Sequence, residues 1–360
     1  MKTLLLAPEL FRAEGGIARI LRSYLQALCE GAGEGDEVRF LALNDGAPEP
    51  EKIRPHVKGR AGAHVGCERS KVSFICFTFR LGWDADRLIC GHLHQLAVVW
   101  LFSIFRPRIK YYLVAHGIEV WRPFGWLERM ALRKAHRILC VSEYTRRQML
   151  RFDPKLDRTR LVIVPNTFDP GLPAPMGKIQ TSKPGSDPRI LVVSRLTRAD
   201  AYKGFDTLIE AMPQILRQYP AAQLRIVGGG DDERRLRDLV QTLHLEDNVH
   251  FAGIVSDVAL SREYAACDIF ALPSRKEGFG LVYLEAMAHG KPCLAARAGG
   301  APEVVNSEVG VLVEYGNTDQ IAVAVADLVR HPRDPAAIFR RAEQFAFPAF
   351  KQHLTAALGE

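Results

Sequence analysis

The 360-residue chain has no apolar run long enough for a bilayer. Its longest, residues 96–105, covers about ten positions where a spanning helix needs roughly 20. CxxC pairs are absent too. The seven cysteines, at 29, 67, 76, 90, 140, 267 and 293, are odd in number and lie mostly within apolar stretches. That excludes a disulfide scaffold and points to reduced thiols in a cytoplasmic setting. The N-terminus has one basic residue and a short apolar run cut off by Pro8 and Glu9, so it reads as a buried strand and not as a signal peptide. No low-complexity tract or short repeat occurs. With 48% hydrophobic and 25% charged residues, disorder and collagen-like structure are excluded. A metal motif is also missing: there is no HExxH and no paired Cys/His spacing, and Asp84-Ala85-Asp86 has the letters of a DxD site without its context.

What is present is charge, and it is unevenly placed. Residues 1–180 hold 28 Lys and Arg against 18 Asp and Glu; residues 181–360 hold 20 against 23. The net charge of +7 is therefore +10 in the first half and −3 in the second. A nucleic-acid track along the whole chain does not fit this division, and no helix-turn-helix, RRM or finger pattern accompanies the basic half.

Short apolar runs alternate with helical periodicity throughout, the signature of βα units around parallel sheets. In the first half the predicted strands are 2–7, 37–42, 87–90, 111–115, 138–141 and 161–165, with helices at 17–29 and 123–135. Residues 169–188, with five prolines and three glycines, read as a linker. Beyond it come strands 190–194, 223–227, 249–252, 269–272 and 292–295, with helices 204–218, 231–243, 260–266 and 281–288 between them. The expected division is a first domain of 1–168, the linker, a second domain of 189–345, and a terminal helix in 346–360 that packs back on the first domain.

Four motifs fall at strand ends. Gly15-Gly16, inside Glu14-Gly15-Gly16-Ile17-Ala18-Arg19, lies between strand 1 and the first helix; it is either a ligand-approach site at a helix N-terminus or a tight turn. Ser194-Arg195-Leu196 followed by Lys203-Gly204 places two cations at the carboxyl edge of a parallel sheet, where a diphosphate would bind, unless both are solvated surface charges. Gly228-Gly229-Gly230 either admits a flat base or a sugar, or makes a plain βα turn. The strongest signal is Glu277-Gly278-Phe279-Gly280-Leu281, with Glu285 one helical turn after Leu281. A helix N-terminus cradles phosphate, and carboxylates accept hydrogen bonds from sugar hydroxyls. The combination suits a nucleotide sugar better than a bare phosphate.

The E-x7-E spacing of Glu277 and Glu285, with Ser194-Arg195-Leu196, Lys203-Gly204, the Gly228 turn, Gly290-Lys291-Pro292, Gly15-Gly16 and His116-Gly117, resembles the retaining glycosyltransferases of family 4. The resemblance implies an α/β GT-B fold of two Rossmann-like domains facing a central cleft. It implies that Arg195 and Lys203 hold the donor diphosphate, that Glu277 meets the transferred sugar and Glu285 the ribose, and that backbone N–H groups of Phe279, Gly280 and Leu281 meet the distal phosphate and sugar. Gly16, beside Gly15, would close on the donor from the other domain, and His116 would line the sugar site near the reacting carbon. The base would meet backbone groups near Phe251 to Val255, with Gly228 also on the donor side. No carboxylate nucleophile can be assigned from the sequence; the resemblance implies front-face substitution assisted by the leaving phosphate, with no metal and no cofactor.

Expected partners are a GDP- or UDP-linked hexose, of mannose or glucose type, and a lipid-linked or glycan acceptor in envelope or exopolysaccharide synthesis. The basic groups Arg129, Arg133, Lys134 and Arg137, and Arg106, Arg108 and Lys110 after Trp100, Phe102 and Phe105, suit docking on the anionic inner face of a membrane or an ordinary solvated surface. Rival readings are a nucleotide-sugar epimerase or hydrolase of the same fold and a non-catalytic sugar-nucleotide-binding subunit.

Overall fold

The computed structural model describes every residue except 13–14, 48, 58–60, 169–184 and 360. Contacts divide the chain into one unit of 1–169 with 347–360 and a second of 170–346. Most of the segment read as a linker, and Glu14 of the glycine motif, lie outside the described residues.

The first unit runs β1 (Lys2–Ala7), α1 (Gly16–Gly31), β2 (Glu37–Ala42), α2 (Pro50–Val57), β3 (Ala61–Gly66), α3 (Lys71–Gly82), β4 (Arg87–Cys90), α4 (Leu96–Phe105), β5 (Lys110–Ala115), α5 (Trp126–Lys134), β6 (Arg137–Cys140), α6 (Glu143–Phe152) and β7 (Leu161–Ile163). Its seven strands are parallel in the order β3-β2-β1-β4-β5-β6-β7. The second unit runs β8 (Arg189–Val193), α7 (Phe205–Gln218), β9 (Gln223–Val227), α8 (Glu233–Thr242), β10 (Val249–Gly253), α9 (Asp257–Ala266), β11 (Ile269–Leu272), α10 (Leu281–Ala288), β12 (Cys293–Ala296), α11 (Ala301–Val304), β13 (Gly310–Val313), α12 (Thr318–Arg330) and α13 (Pro335–Glu343). Its six strands are parallel in the order β10-β9-β8-β11-β12-β13.

Both orders are the Rossmann arrangement. Strand order reverses between β1 and β4 in one unit and between β8 and β11 in the other, and ligands bind outside the carboxyl ends of strands at such switch points. The near-continuous apolar runs of β1 and β11 follow from having helices on both faces of the sheet.

Two cores flank the first sheet. On one face lie Phe74 of α3, Val99 and Phe102 of α4, Leu132 of α5 and Met149 of α6. On the other lie Leu21, Tyr24 and Leu25 of α1 with the terminal helix α14 (Phe347–Leu358). Phe350, Leu354 and Leu358 of α14 are buried in that core, each contributing about 2 kcal/mol of apolar burial. Arg137 Nη1 donates to the carbonyls of Ala356 and Ala357 in the last turn of this helix.

The structure adds elements that the strand and helix pattern does not announce. Edge strand β3, AGAHVG, has two glycines and no buried face. The α3 sequence KVSFICFTFRLG is rich in aromatic and β-branched residues, yet Ser70 caps it as a helix, its Oγ accepting from Ser73 N at 3.2 Å. The helix expected over 123–135 starts at Trp126, because Pro123 to Gly125 are extended loop and the Glu128 carboxylate accepts from Gly125 N at 2.8 Å.

Candidate functional site

In the second unit the loops after β8 and β11 meet at the switch point. The β8 loop passes through Arg195 into a 3₁₀ turn, Arg198–Lys203, which ends at Gly204 with φ 83°. A Cβ on Gly204 would stand 2.5 Å from the Pro273 carbonyl oxygen, so only glycine lets this turn press against the end of β11. Arg275 N donates to Tyr202 O at 2.8 Å and ties the two loops a second time.

This contact brings together two residues 74 positions apart: Lys203 Nζ donates to Glu277 Oε2 at 2.7 Å. Both side chains are largely buried, at 16% and 14% exposure, so the pair is screened less than a surface ion pair. Glu277 is held from behind as well. Its carbonyl accepts from Gly300 N at 2.7 Å, and Gly299 (φ 62°) approaches so closely that a Cβ would lie 2.4 Å from that oxygen.

Arg195 is placed differently. Its side chain is 76% exposed, with Nη2 3.3 Å from Asp200 Oδ2. Asp200 is buried and also accepts from Thr197 Oγ1 and Tyr202 Oη, each at 2.8 Å. Burial, then the Asp200 hydrogen bond, pushes the Tyr202 phenol above its usual range, so it stays a neutral donor. The two expected phosphate ligands are thus one largely buried cation paired with Glu277 and one exposed cation paired with Asp200. Asp200 and Tyr202 carry no motif signal; only their contacts reveal their part.

The glycine triplet after β9 has a packing reason. Gly228 (φ 134°) would put a Cβ 1.9 Å from Ser194 O, and Gly230 would put one 2.1 Å from Leu196 O. Leu196 N donates to Gly229 O at 3.0 Å, so these glycines set the path of the Arg195 loop. Val255 is half-buried just before α9.

Gly280 (φ 95°) caps α10 in the left-handed region, and Leu281 begins that helix. The Phe279 ring is buried edge-on against Phe345, 5.4 Å between centroids, which leaves its backbone as the part available to a ligand. Glu285 is buried and accepts from Tyr264 Oη at 2.8 Å.

In the first unit His116 follows β5. Its Nε2 lies 2.7 Å from the Gly91 carbonyl, which can only accept, so Nε2 carries hydrogen. Its backbone N donates to Glu119 Oε1 at 2.6 Å. His92, after β4, lies nearly parallel to His116 with centroids 6.3 Å apart, and nothing in the sequence pattern singles it out. Burial above all, with the neighbouring His116 and His94 and against the pull of Glu119, lowers the His92 pKa to about 4.

Gly15 caps α1 in extended conformation, and a Cβ there would meet nothing within 4 Å. Unlike Gly204 and Gly228, it is not required by packing within the fold. Residues 10–12 are held by buried Asp45, whose carboxylate accepts from the amides of Leu10, Phe11 and Arg12 at 3.0–3.3 Å.

Asp84 and Asp86, the DxD-like pair, are occupied elsewhere. Asp84 pairs with Lys2 and Arg39, and Asp86 accepts from Lys2 N at 2.6 Å. Among the described residues no group of three or more His, Cys, Asp or Glu forms a metal cluster, and no helix is long and apolar enough to cross a membrane.

Two parallel Rossmann-like sheets with ligand-edge motifs in each define a GT-B glycosyltransferase. The family profile "Glycosyltransferase Family 4" matches residues 14–172, and "Glycosyl transferases group 1" matches residues 178–345. The chain is 33% identical over 267 residues to a GDP-mannose-dependent alpha-(1-6)-phosphatidylinositol monomannoside mannosyltransferase of Mycobacterium tuberculosis, covering 66% of this chain and 67% of that protein. It is 35% identical over 242 residues to the Mycolicibacterium smegmatis enzyme of the same name, covering 62% of each. The matched region thus spans roughly two thirds of these relatives. The structure of Anabaena HepE in complex with UDP superposes over 100% of both chains with a TM-score of 0.77 at 22% identity. The lipopolysaccharide outer core galactosyltransferase WaaB in its apo form gives 0.77 at 17%, covering 100% of this chain and 99% of that one. The chain belongs to the family 4 glycosyltransferases.

Proposed function

We propose that this chain transfers a hexose, with retention, from a nucleoside diphosphate sugar to a lipid-linked or glycan acceptor, and that the donor is GDP-mannose. The observation that carries the reading is the Lys203–Glu277 pair at the carboxyl ends of β8 and β11, a cation for the diphosphate beside an acceptor for sugar hydroxyls. The relatives named as GDP-mannose-dependent favour that donor over a UDP-hexose.

In this reading Lys203 and Arg195 bind the diphosphate, with the Gly280–Leu281 amides at the start of α10 beside them. Glu277 orients the sugar, Glu285 takes the ribose, and the base lies against backbone near Gly228 and Val255. Gly15, Gly16 and His116 are the first unit's candidates for contact with the donor. The bond from the anomeric carbon to phosphate oxygen breaks as the acceptor oxygen attacks from the same face, and the acceptor proton passes to the departing phosphate. Fixed positive charge on that phosphate is then the main source of rate. No residue is given a metal or a cofactor to hold, so a chelator leaves the rate unchanged. Exposed Ile118, Trp126 and Leu127 beside the His116 loop favour an acceptor with a lipid part. Six of the seven thiols are buried and none is bonded, which suits work on the cytoplasmic side of a membrane.

A thermal-shift panel of GDP-, UDP- and ADP-sugars tests the donor. Stabilisation by GDP-mannose alone supports the proposal; stabilisation by another sugar nucleotide, or by none, rejects it. Turnover of donor without acceptor would mark a hydrolase or epimerase instead.

A further inference from the structure

Away from the ligand edges, the first unit has a second cationic site. The amino ends of β5 and β6, the loop before β5 and the turn before β7 enclose a pocket of about 470 Å³. Arg108, Lys110, Lys134, His136, Arg137 and Arg160 line it, with no carboxylate among the lining residues. Neighbouring acids are few and already engaged: Asp157 pairs with Arg160 at 3.4 Å, and Asp153 is buried against Arg133 at 2.7 Å. That second pair corrects the sequence-based grouping, since Arg133 is not free for an outside anion. Arg137 is likewise anchored, on the α14 carbonyls; Arg108, Lys110, Lys134 and the Asp157-paired Arg160 are the exposed cations of the rim.

The same turn that opens this pocket closes an apolar face. Ile104 and Phe105 end α4 at 54% and 59% exposure, and residues 107–110 line the pocket directly after them. Trp83, at the end of α3, is 55% exposed with the Arg106 guanidinium 5.9 Å over its ring. Phe79 bridges the two helices, 5.6 Å from the Phe105 ring, and Val72 and Leu101 extend the exposed strip. Of the aromatic residues expected here, Phe102 is buried in the core and only Phe105 is strongly exposed. A rim of cations around exposed Trp, Phe and Ile side chains has the chemistry of a bilayer interface, with apolar groups entering the acyl boundary and cations meeting headgroup phosphates.

We propose that the outer face of α3 and α4 docks on an anionic bilayer and that the pocket at the amino ends of β5 and β6 receives a lipid headgroup phosphate. The surface lies in the first unit and uses no residue of the donor site, so it stands whether or not GDP-mannose is the donor. It makes binding a two-part event: the pocket selects charge and the Trp83–Phe105 strip holds the protein once charge has brought it there.

The test is co-sedimentation of the full chain with vesicles of phosphatidylcholine alone and of phosphatidylcholine with one third phosphatidylglycerol. The expected result is binding to the anionic vesicles only, weakening as salt rises. Arg108→Glu with Lys110→Glu should weaken it at least about tenfold. Ile104→Ser with Phe105→Ser should also weaken it, but leave the salt dependence of the remainder in place. Unchanged thermal melting of each variant shows that the fold is intact; a variant that melts early is replaced by the single exposed change Arg108→Gln. Equal binding to neutral and anionic vesicles, or full binding by the charge-reversed variant, overturns the proposal. So does tight binding of inositol hexakisphosphate by the wild-type chain without any vesicle binding, which would assign the pocket to a soluble polyanion.

Discussion

Lys203 Nζ and Glu277 Oε2, 2.7 Å apart, join the loop that follows the first strand of the second unit to the loop that follows its fourth. Each residue satisfies the other's charge. Lys203→Ala should then act twice. It should lower the transfer rate by about a hundredfold or more through lost stabilisation of the leaving phosphate, and lower stability by about 2 kcal/mol by leaving Glu277 unpaired in a largely buried place. Steady-state rates and urea denaturation check both. In a double-mutant cycle with Glu277→Gln the stability losses should be less than additive. Near-normal transfer by Lys203→Ala would remove Lys203 from the reaction.

Two glycines that look alike in the sequence should respond oppositely to alanine. At Gly228 the new Cβ would fall 1.9 Å from Ser194 O at φ 134°, so Gly228→Ala should cost roughly 2 kcal/mol or more and displace the Arg195 loop. At Gly15 the Cβ meets nothing and the backbone is extended. Gly15→Ala should therefore melt like wild type yet bind donor more weakly. Equal melting of the two variants, or unchanged donor affinity in Gly15→Ala, would defeat the distinction.

Asp45 is the hidden support of residues 10–12. Asp45→Ala leaves the amides of Leu10, Phe11 and Arg12 without their acceptor, at a cost of about 2 kcal/mol. Hydrogen exchange at residues 10–12 should speed up while exchange in the second unit is unchanged. Asp45→Asn keeps acceptor oxygen and should fall between the two. Unaltered exchange in Asp45→Ala would show that the loop is ordered by something else.

His92 should shape the acid limb of the stability profile. Its folded pKa, about 4, lies below the ordinary histidine value, so between those values the unfolded chain takes up a proton that the native site refuses. The contribution is complete above about pH 6.5 and is lost as pH falls toward 4. In His92→Asn the drop in urea midpoint over that window should be shallower than in wild type. A parallel drop in both proteins would show that His92 titrates normally.

Much of this protein is written in short range. The apolar runs at 2–7 and 269–272 specify β1 and β11 because strands buried on both faces need little else, and βα alternation then restricts the sheets to parallel order. The E-x7-E spacing and the glycines in the loops after β9 and β11 mark the ligand edge for the same reason: a helix start and a left-handed turn are local conformations. Edge strand β3 and helix α3 carry no such local mark, since one has no buried face and the other owes its helical form to a cap and to packing on α4.

What the sequence alone determined, then, is the pair of Rossmann-like sheets, the family, and the candidates Arg195, Lys203, Glu277, Glu285 and His116. Tertiary structure decided how those candidates differ. It paired Lys203 with Glu277, left Arg195 exposed on Asp200, buried Glu285 against Tyr264, set His92 beside His116, and gathered scattered cations of the first unit into one pocket. The physical reason is range. Propensity, periodicity and turn chemistry act within a few residues, whereas charge pairing, burial and the space beyond a glycine depend on which distant strand ends the sheet order makes neighbours.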